Sequence, residues 1–332
     1  MIRIFKKVFS ILKELFVSFF ADLKCFSLKI ACYSFFRNLL WHVNLFVKFR
    51  AKCENRYTII VYNHLLKKYG YVIDKYKTTT EFAPANQSST SKKIWVLWWQ
   101  GVENAPPLVK ICINSIIKNS NGHEVVLLNE NNYLNYAKIP REIINKYKKG
   151  KIGRAHFSDI LRISLLEEHG GLWLDATILV AKPIPATVFE QDYYTPKNLP
   201  DYTNYFSGEQ WAPFCFGFSK QALLSKVLKE LFFEYWSHET RAIDYLLFDY
   251  FIKMCYDNIK AINVAMDNLE YNNPKINYYQ DIMNQPFNAN TIKEMQSSDT
   301  FIFKLSWRMN FLEKTPDGKD TFYGTLLQRG TL

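Results

Sequence analysis

Apolar positions in this chain change period along its length, and each change marks an element. From Ile4 to Phe26 they recur at spacings of three and four, through Phe5, Val8, Phe9, Leu12, Leu15, Phe16, Phe19, Phe20 and Leu23, with Lys6, Lys13 and Lys24 on the opposite face. This spacing predicts an amphipathic helix of the kind that lies in a membrane interface, or a helical subdomain packed on the rest of the protein. The longest uncharged run there, Asn38 to Val47, has ten residues, against the roughly 20 a spanning helix needs. Charges also interrupt every stretch that would serve as a signal-peptide core.

Residues 78–93, TTTEFAPANQSSTSKK, have the composition of a linker or mobile loop. The reading is therefore a basic, aromatic helical region over 1–77, a connecting segment over 78–93 and a main domain over 94–332. In the main domain the apolar run Ile94 to Trp99 predicts a strand, Pro106 to Lys118 a helix and Glu124 to Leu128 a second strand. That alternation is α/β.

The middle of the domain carries the chemistry. His156 to His169 reads as a helix whose apolar positions Phe157, Ile160, Leu161, Leu165 and Leu166 suit packing on a sheet, leaving Ser158, Asp159 and Arg162 on a polar face. Gly170 and Gly171 allow positive φ or a close backbone approach, after which Leu172, Trp173 and Leu174 form a short buried strand that delivers Asp175 to its exposed end. Asp159 and Arg162 taken alone are also spaced for a surface ion pair. Further on, helices are expected over 221–236 and 241–256. In the second, Asp244 and Asp249 interrupt a run of Tyr, Leu, Phe and Ile. Carboxylates are rarely buried without a partner, so at least one faces the active-site cleft or a cation, or each pairs with Arg241 or Lys253.

The order S-D-x-x-R, then Gly-Gly, then an aromatic and an acid resembles the signature of glycosyltransferases with a DXD sugar-binding motif, and among them the bacterial capsular polysaccharide synthesis proteins. The resemblance runs from about Ile94 to Trp307. It implies a GT-A-like, Rossmann-type nucleotide-sugar-binding domain, with Trp99 and Gln100 near the base or ribose. Ser158, Asp159 and Arg162 would position nucleotide and sugar, beside the turn at Gly170 and Gly171. Asp175, with Thr177 two residues on, would hold Mn²⁺ or Mg²⁺; here Asp-Ala-Thr stands in place of Asp-x-Asp. The resemblance also places WAPFCFGF, Trp211 to Phe218, along the sugar pocket, with Gly217 allowing backbone to approach the ligand. The segment Phe303 to Arg308 would be a closing strand, from which Lys304 or Arg308 meets diphosphate. Asp244 or Asp249 would supply a carboxylate for a double-displacement mechanism.

The implied activity is a retaining hexosyl- or N-acetylhexosaminyltransfer from a nucleotide-sugar, a UDP-sugar favoured, to a lipid-linked oligosaccharide in surface polysaccharide synthesis. The expected location is cytoplasmic, peripheral on the anionic inner face of the cell membrane. The competing readings are a catalytically inactive homologue that binds glycan or an assembly partner, and a capsule-pathway phosphotransferase.

Charge narrows the choice. The net +11 invites a nucleic-acid reading, but residues 1–52 hold ten Lys or Arg against Glu14 and Asp22, which accounts for +8 of the total. With no RNP-like motif or phosphate-cradling Gly-Lys-Ser/Thr loop elsewhere, the basic charge points to a membrane surface and no nucleic-acid partner. The six cysteines include no C-x-x-C pair and read as small core residues in a reducing compartment.

Overall fold

The computed structural model describes residues 2–43, 47–83, 93–200 and 206–330. Three helices come first: α1 (Ile2–Cys25), α2 (Leu28–Val43) and α3 (Val47–Asp74). The chain then runs through β1 (Lys93–Leu97), α4 (Pro107–Lys118), β2 (Glu124–Leu128), α5 (Arg141–Lys148), α6 (Arg154–His169) and β3 (Gly171–Leu174). After these come β4 (Ile178–Val180), α7 (Thr187–Glu190), β5 (Tyr193–Tyr194), β6 (Cys215–Phe218), α8 (Leu223–His238), α9 (Leu247–Asn258) and α10 (Lys260–Asp267). The last elements are α11 (Tyr278–Ile282), α12 (Ala289–Ser297), β7 (Ile302–Lys304) and α13 (Phe322–Arg329).

Five strands make one mixed sheet in the order β2-β1-β3-β6-β5. β1 is parallel to both β2 and β3, whereas β6 runs antiparallel to β3 and to β5. The parallel centre is apolar throughout, Ile94 to Val96 and Leu172 to Leu174 being buried, as strands covered on both faces must be. Trp95 lies opposite Trp173, so the residues that follow Leu97 and Leu174 emerge at one edge. β6 starts opposite Leu174, which brings Pro213 and Phe214 to the same edge. β4 and β7 form a separate antiparallel pair in which Ile178 faces Lys304.

Gly170 and Gly171 have φ of 69° and 96°, and they turn α6 directly into β3. A β-carbon on Gly170 would stand 2.8 Å from the Lys220 amide nitrogen, and the Gly170 carbonyl accepts from Trp95 Nε1 at 2.9 Å. Glycine is therefore required here by close packing as well as by φ.

α3 is built into the main core. Tyr57, Val61, Leu65, Tyr69 and Val72, at helical spacing, are buried in one cluster with β1, β3, α8 and α9. α1 and α2 pack on each other, and α2 reaches that core through Ile30, while Leu15 and Asp22 of α1 are also buried. Phe9, Leu12, Phe16, Phe20 and Leu23 are exposed along α1, a single stripe at 100° per residue. Exposed Lys13 and Lys24 flank this stripe where the opposite face was expected. Among the described residues no helix is long and apolar enough to cross a membrane.

The expected helix over 241–256 begins only at Leu247. The Asp244 carboxylate accepts from the Leu246 amide at 2.8 Å and the Tyr235 hydroxyl from the Ile243 amide, also at 2.8 Å. These bonds take up backbone donors that a helix would need, so 241–246 is a tight irregular segment. The expected strand over 303–308 is likewise cut to Ile302–Lys304. Of the connecting segment, residues 84–92 lie outside the described ones; Phe82 before them accepts from the Leu223 amide at 2.7 Å, at the start of α8.

Candidate active site

A cavity of about 740 Å³ opens over the shared strand edge. It is lined by Trp98, Trp99 and Gln100 after β1; Arg154, Ser158, Asp159 and Arg162 on α6; and Asp175 to Thr177 after β3. Pro213 and Phe214 before β6, Tyr245, Leu246, Phe248 and Asp249 around the start of α9, and Lys304 to Arg308 complete the wall. This is where open α/β sheets hold ligands, because the strand ends leave a crevice between connecting segments. A second cavity of about 680 Å³ is lined by Glu190, Asp192, Glu270 and Asp299 with no lysine or arginine, a setting that repels anions.

Asp175 is the hub of the first cavity. Its Oδ1 accepts from Arg162 Nη2 at 3.1 Å and from Trp173 Nε1 at 3.0 Å, while Oδ2 lies 3.4 Å from Lys304 Nζ. Arg162 Nη1 donates in turn to Asp159 Oδ1 at 3.1 Å. Arg162 is thus buried, Asp159 mostly so, and the pair extends to Asp175, which a surface ion pair would not do. Burial pushes the Asp175 carboxyl up, but Lys304 and Arg162 more than offset this, and its pKa lies below the ordinary aspartate value. Asp175 is ionised at neutral pH.

Lys304 is placed by the β4–β7 register. The amides of Lys304 and Leu305 donate to Ile276 and Thr177 carbonyls at 2.8 and 3.0 Å, and Lys304 Nζ donates to Thr177 Oγ1 at 2.6 Å. The ammonium thus lies between the two residues that were expected to hold a metal. Both Asp175 oxygens are engaged by cations or Trp173, and the Thr177 hydroxyl is taken up by Lys304. Among the described residues no group of three or more His, Cys, Asp or Glu could hold a metal ion. Oxygen-seeking Mg²⁺ or Mn²⁺ would meet one carboxylate already neutralised and a single neutral oxygen, so these residues do not fit a divalent ion.

Asp249 lines the cavity and accepts from Trp211 Nε1 at 2.9 Å. Burial raises its pKa to about 7, and the neighbouring Asp159 charge adds to the effect. Asp244 is elsewhere: it ion-pairs with Arg37 of α2 at 2.7 Å, with 3 % of its side chain exposed. Neither partner expected from sequence is used, since Arg241 pairs with Asp22 and Lys253 with Asp257. Gly170, Gly171 and Gly217 are also absent from the lining. A β-carbon on Gly217 would meet Tyr194 Cβ at 3.2 Å and Leu172 Cδ1 at 3.4 Å, so that glycine serves sheet packing.

Ten sequence-selected residues do line the cavity: Trp99, Gln100, Ser158, Asp159, Arg162, Asp175, Thr177, Asp249, Lys304 and Arg308. Trp99 is wedged among Tyr133, Tyr147 and Phe157, with ring centroids 5.2, 5.2 and 5.7 Å away, which fixes its ring. Sequence reasoning missed Trp98, Arg154, Tyr245 and Trp307. Arg154 was within reach, because Arg154, Ser158 and Arg162 repeat at four residues and share a helix face. Two buried donors on the wall, Trp98 Nε1 and Arg162 Nε, find no acceptor among the described residues, and unsatisfied donors of this kind favour an oxygen-rich ligand.

Fold and site together define an α/β protein with a cavity over its parallel strand ends whose wall carries four cations and three carboxylates. The chain belongs to the capsular polysaccharide synthesis protein family, whose profile matches residues 42–326. Among solved structures it is similar to the PaToxG glycosyltransferase, at 16% identity over 67% of this chain and 83% of that one, with a TM-score of 0.37. No curated protein sequence matches it.

Proposed function

We propose that the protein is a nucleotide-sugar-dependent glycosyltransferase of GT-A type, acting in capsular or other surface polysaccharide synthesis on a lipid-linked oligosaccharide. The observation that carries this reading is the Asp159–Arg162–Asp175–Lys304 chain of ion pairs beneath a cavity walled by Trp98 and Trp99. Four cations, Arg154, Arg162, Lys304 and Arg308, share the lining with three acids, one of them titrating near neutrality. A diphosphate finds charge-assisted donors there, and the tryptophans offer apolar surface to base or sugar.

In this reading the donor's anomeric C–O bond breaks toward the diphosphate while the acceptor hydroxyl attacks the anomeric carbon from the Phe214 side. Asp249 accepts the hydroxyl proton, for which a pKa of about 7 is well matched. A UDP-sugar, whether hexosyl or N-acetylhexosaminyl, is the favoured donor. A single displacement of this kind inverts the anomeric centre, whereas Asp249 acting as nucleophile in two successive displacements retains it, and the anomeric coupling in the product's NMR spectrum distinguishes the two.

The test is a thermal-shift panel of sugar nucleotides. A true donor raises the melting temperature in a concentration-dependent way, and a scaffold that binds only glycan shows no shift with any of them. With that donor, transfer rises with pH through an apparent pKa near 7, because the ionised form of Asp249 is the active one. The Asp249→Asn variant loses this limb; a limb that persists unchanged in the variant removes Asp249 from the proton transfer.

The exposed stripe of α1, with Lys13 and Lys24 beside it, supports peripheral binding to an anionic membrane. Phe16→Glu with Phe20→Glu is expected to cut co-sedimentation with phosphatidylserine vesicles by about tenfold or more, and added salt to weaken wild-type binding. Both side chains are more than half exposed, so melting should fall only by the worth of the Phe16–Phe35 ring contact and the neighbouring Phe19–Phe20 one. Equal sedimentation of variant and wild type would remove the anchor.

A further inference from the structure

We propose that Lys304 stands in for the divalent cation, so that its ammonium neutralises the leaving diphosphate and transfer needs no metal ion. The inference rests on the donor reading above and goes beyond it. Lys304 is clamped through its own amide and that of Leu305, so its Cα is fixed relative to Asp175. Its Nζ spends one donor on Thr177 Oγ1 and a second, longer contact on Asp175 Oδ2. An ammonium has three N–H donors, and Lys304 lines the cavity with about a quarter of its side chain accessible.

A simple counter-ion for Asp175 would be redundant, because Arg162 and Trp173 already engage that carboxylate. Thr177 fits this role better than an acid would. A hydroxyl orients the ammonium without cancelling its charge, whereas a second carboxylate would consume it. The same cations that welcome a diphosphate repel a free divalent ion from this edge, with Arg162 and Lys304 both within 3.4 Å of the Asp175 carboxylate. During transfer the electrons of the breaking C–O bond pass to a terminal diphosphate oxygen. The Lys304 side chain stabilises that oxygen as its charge develops.

The experiment is calorimetric titration of the full-length protein with UDP, GDP and dTDP, in excess EDTA and again with MnCl₂. At least one nucleotide is expected to bind in EDTA, with an affinity changed less than about threefold by Mn²⁺. Lys304→Ala should weaken that binding by about 10- to 100-fold, the worth of one charge-assisted contact, and Lys304→Arg should keep most of it. The paired change Lys304→Ala with Thr177→Asp should bind nucleotide in a Mn²⁺-dependent manner, since it exchanges the ammonium for a second carboxylate ligand. Mn²⁺ strengthening wild-type binding tenfold or more, or folded Lys304→Ala and Lys304→Gln binding as wild type, overturns the proposal while leaving the donor reading intact. No binding of any nucleotide under either condition overturns both.

Discussion

Asp175→Asn is expected to leave the protein folded and to lower transfer by about 10²-fold or more. The carboxylate holds Arg162 and Lys304 together across an edge where two cations would otherwise repel each other. Asparagine keeps the shape and the acceptor for Trp173 but removes the charge. Arg162 then leans on Asp159 alone and Lys304 on the Thr177 hydroxyl alone. A displacement of about 1 Å in either is enough for the predicted loss, because a preorganised charge acts only where it is aimed. Asp175 keeps 29% of its side chain accessible, so the variant's melting temperature should move far less than its kcat/KM. Turnover like that of the wild type would show that the ion pairs are structural and that the ligand is held elsewhere.

Asp244→Ala is expected to do the reverse, costing about 3–5 kcal/mol of stability by leaving a mostly buried arginine without its partner. Arg37 has 19% of its side chain exposed, and its remaining acid, Glu54, is 3.5 Å away and more exposed. The Asp244 carboxylate also fixes the Leu246 amide, so the segment before α9 loses its local lock as well. Chemical denaturation of Asp244→Ala, Arg37→Met and the double variant measures the effect. Replacing both partners should recover much of the loss, since no buried charge is then orphaned. A single Asp244→Ala variant within about 1 kcal/mol of wild type would place the pair among ordinary surface bridges.

These two aspartates mark the limit of what the chain discloses before it is folded. Asp175 was legible because everything that sets it in place is local: a helix face, two glycines and three apolar residues within twenty positions. The boundaries of β2 were legible for the same reason, since Glu124 opens and Val125 to Leu128 fill a short apolar run between polar turns. β1 was read two residues too long. Trp98 and Trp99 continue the apolar pattern, but the Gly101 amide bonds back to the Trp98 carbonyl and turns the chain there. Asp244 was misread because its partner is 207 residues away in sequence, and nothing local distinguishes that cation from Arg241 or Lys253. The contact of Lys304 with Asp175, 129 residues apart, was invisible for the same reason. Until the β4–β7 register is known, no spacing rule connects them.

The segment 241–246 is held from both sides by the N-terminal helices, Arg241 by Asp22 of α1 and Asp244 by Arg37 of α2. Directly after the second fastening, Tyr245 and Leu246 form part of the cavity wall. The lip of the site is therefore not the property of the α/β domain alone. By reciprocity of binding free energies, whatever factor a bilayer on α1 and α2 adds to ligand affinity at the lip, the ligand must add to affinity for the bilayer. A molecule trimmed of its first helices would lose both fastenings and carry an altered pocket.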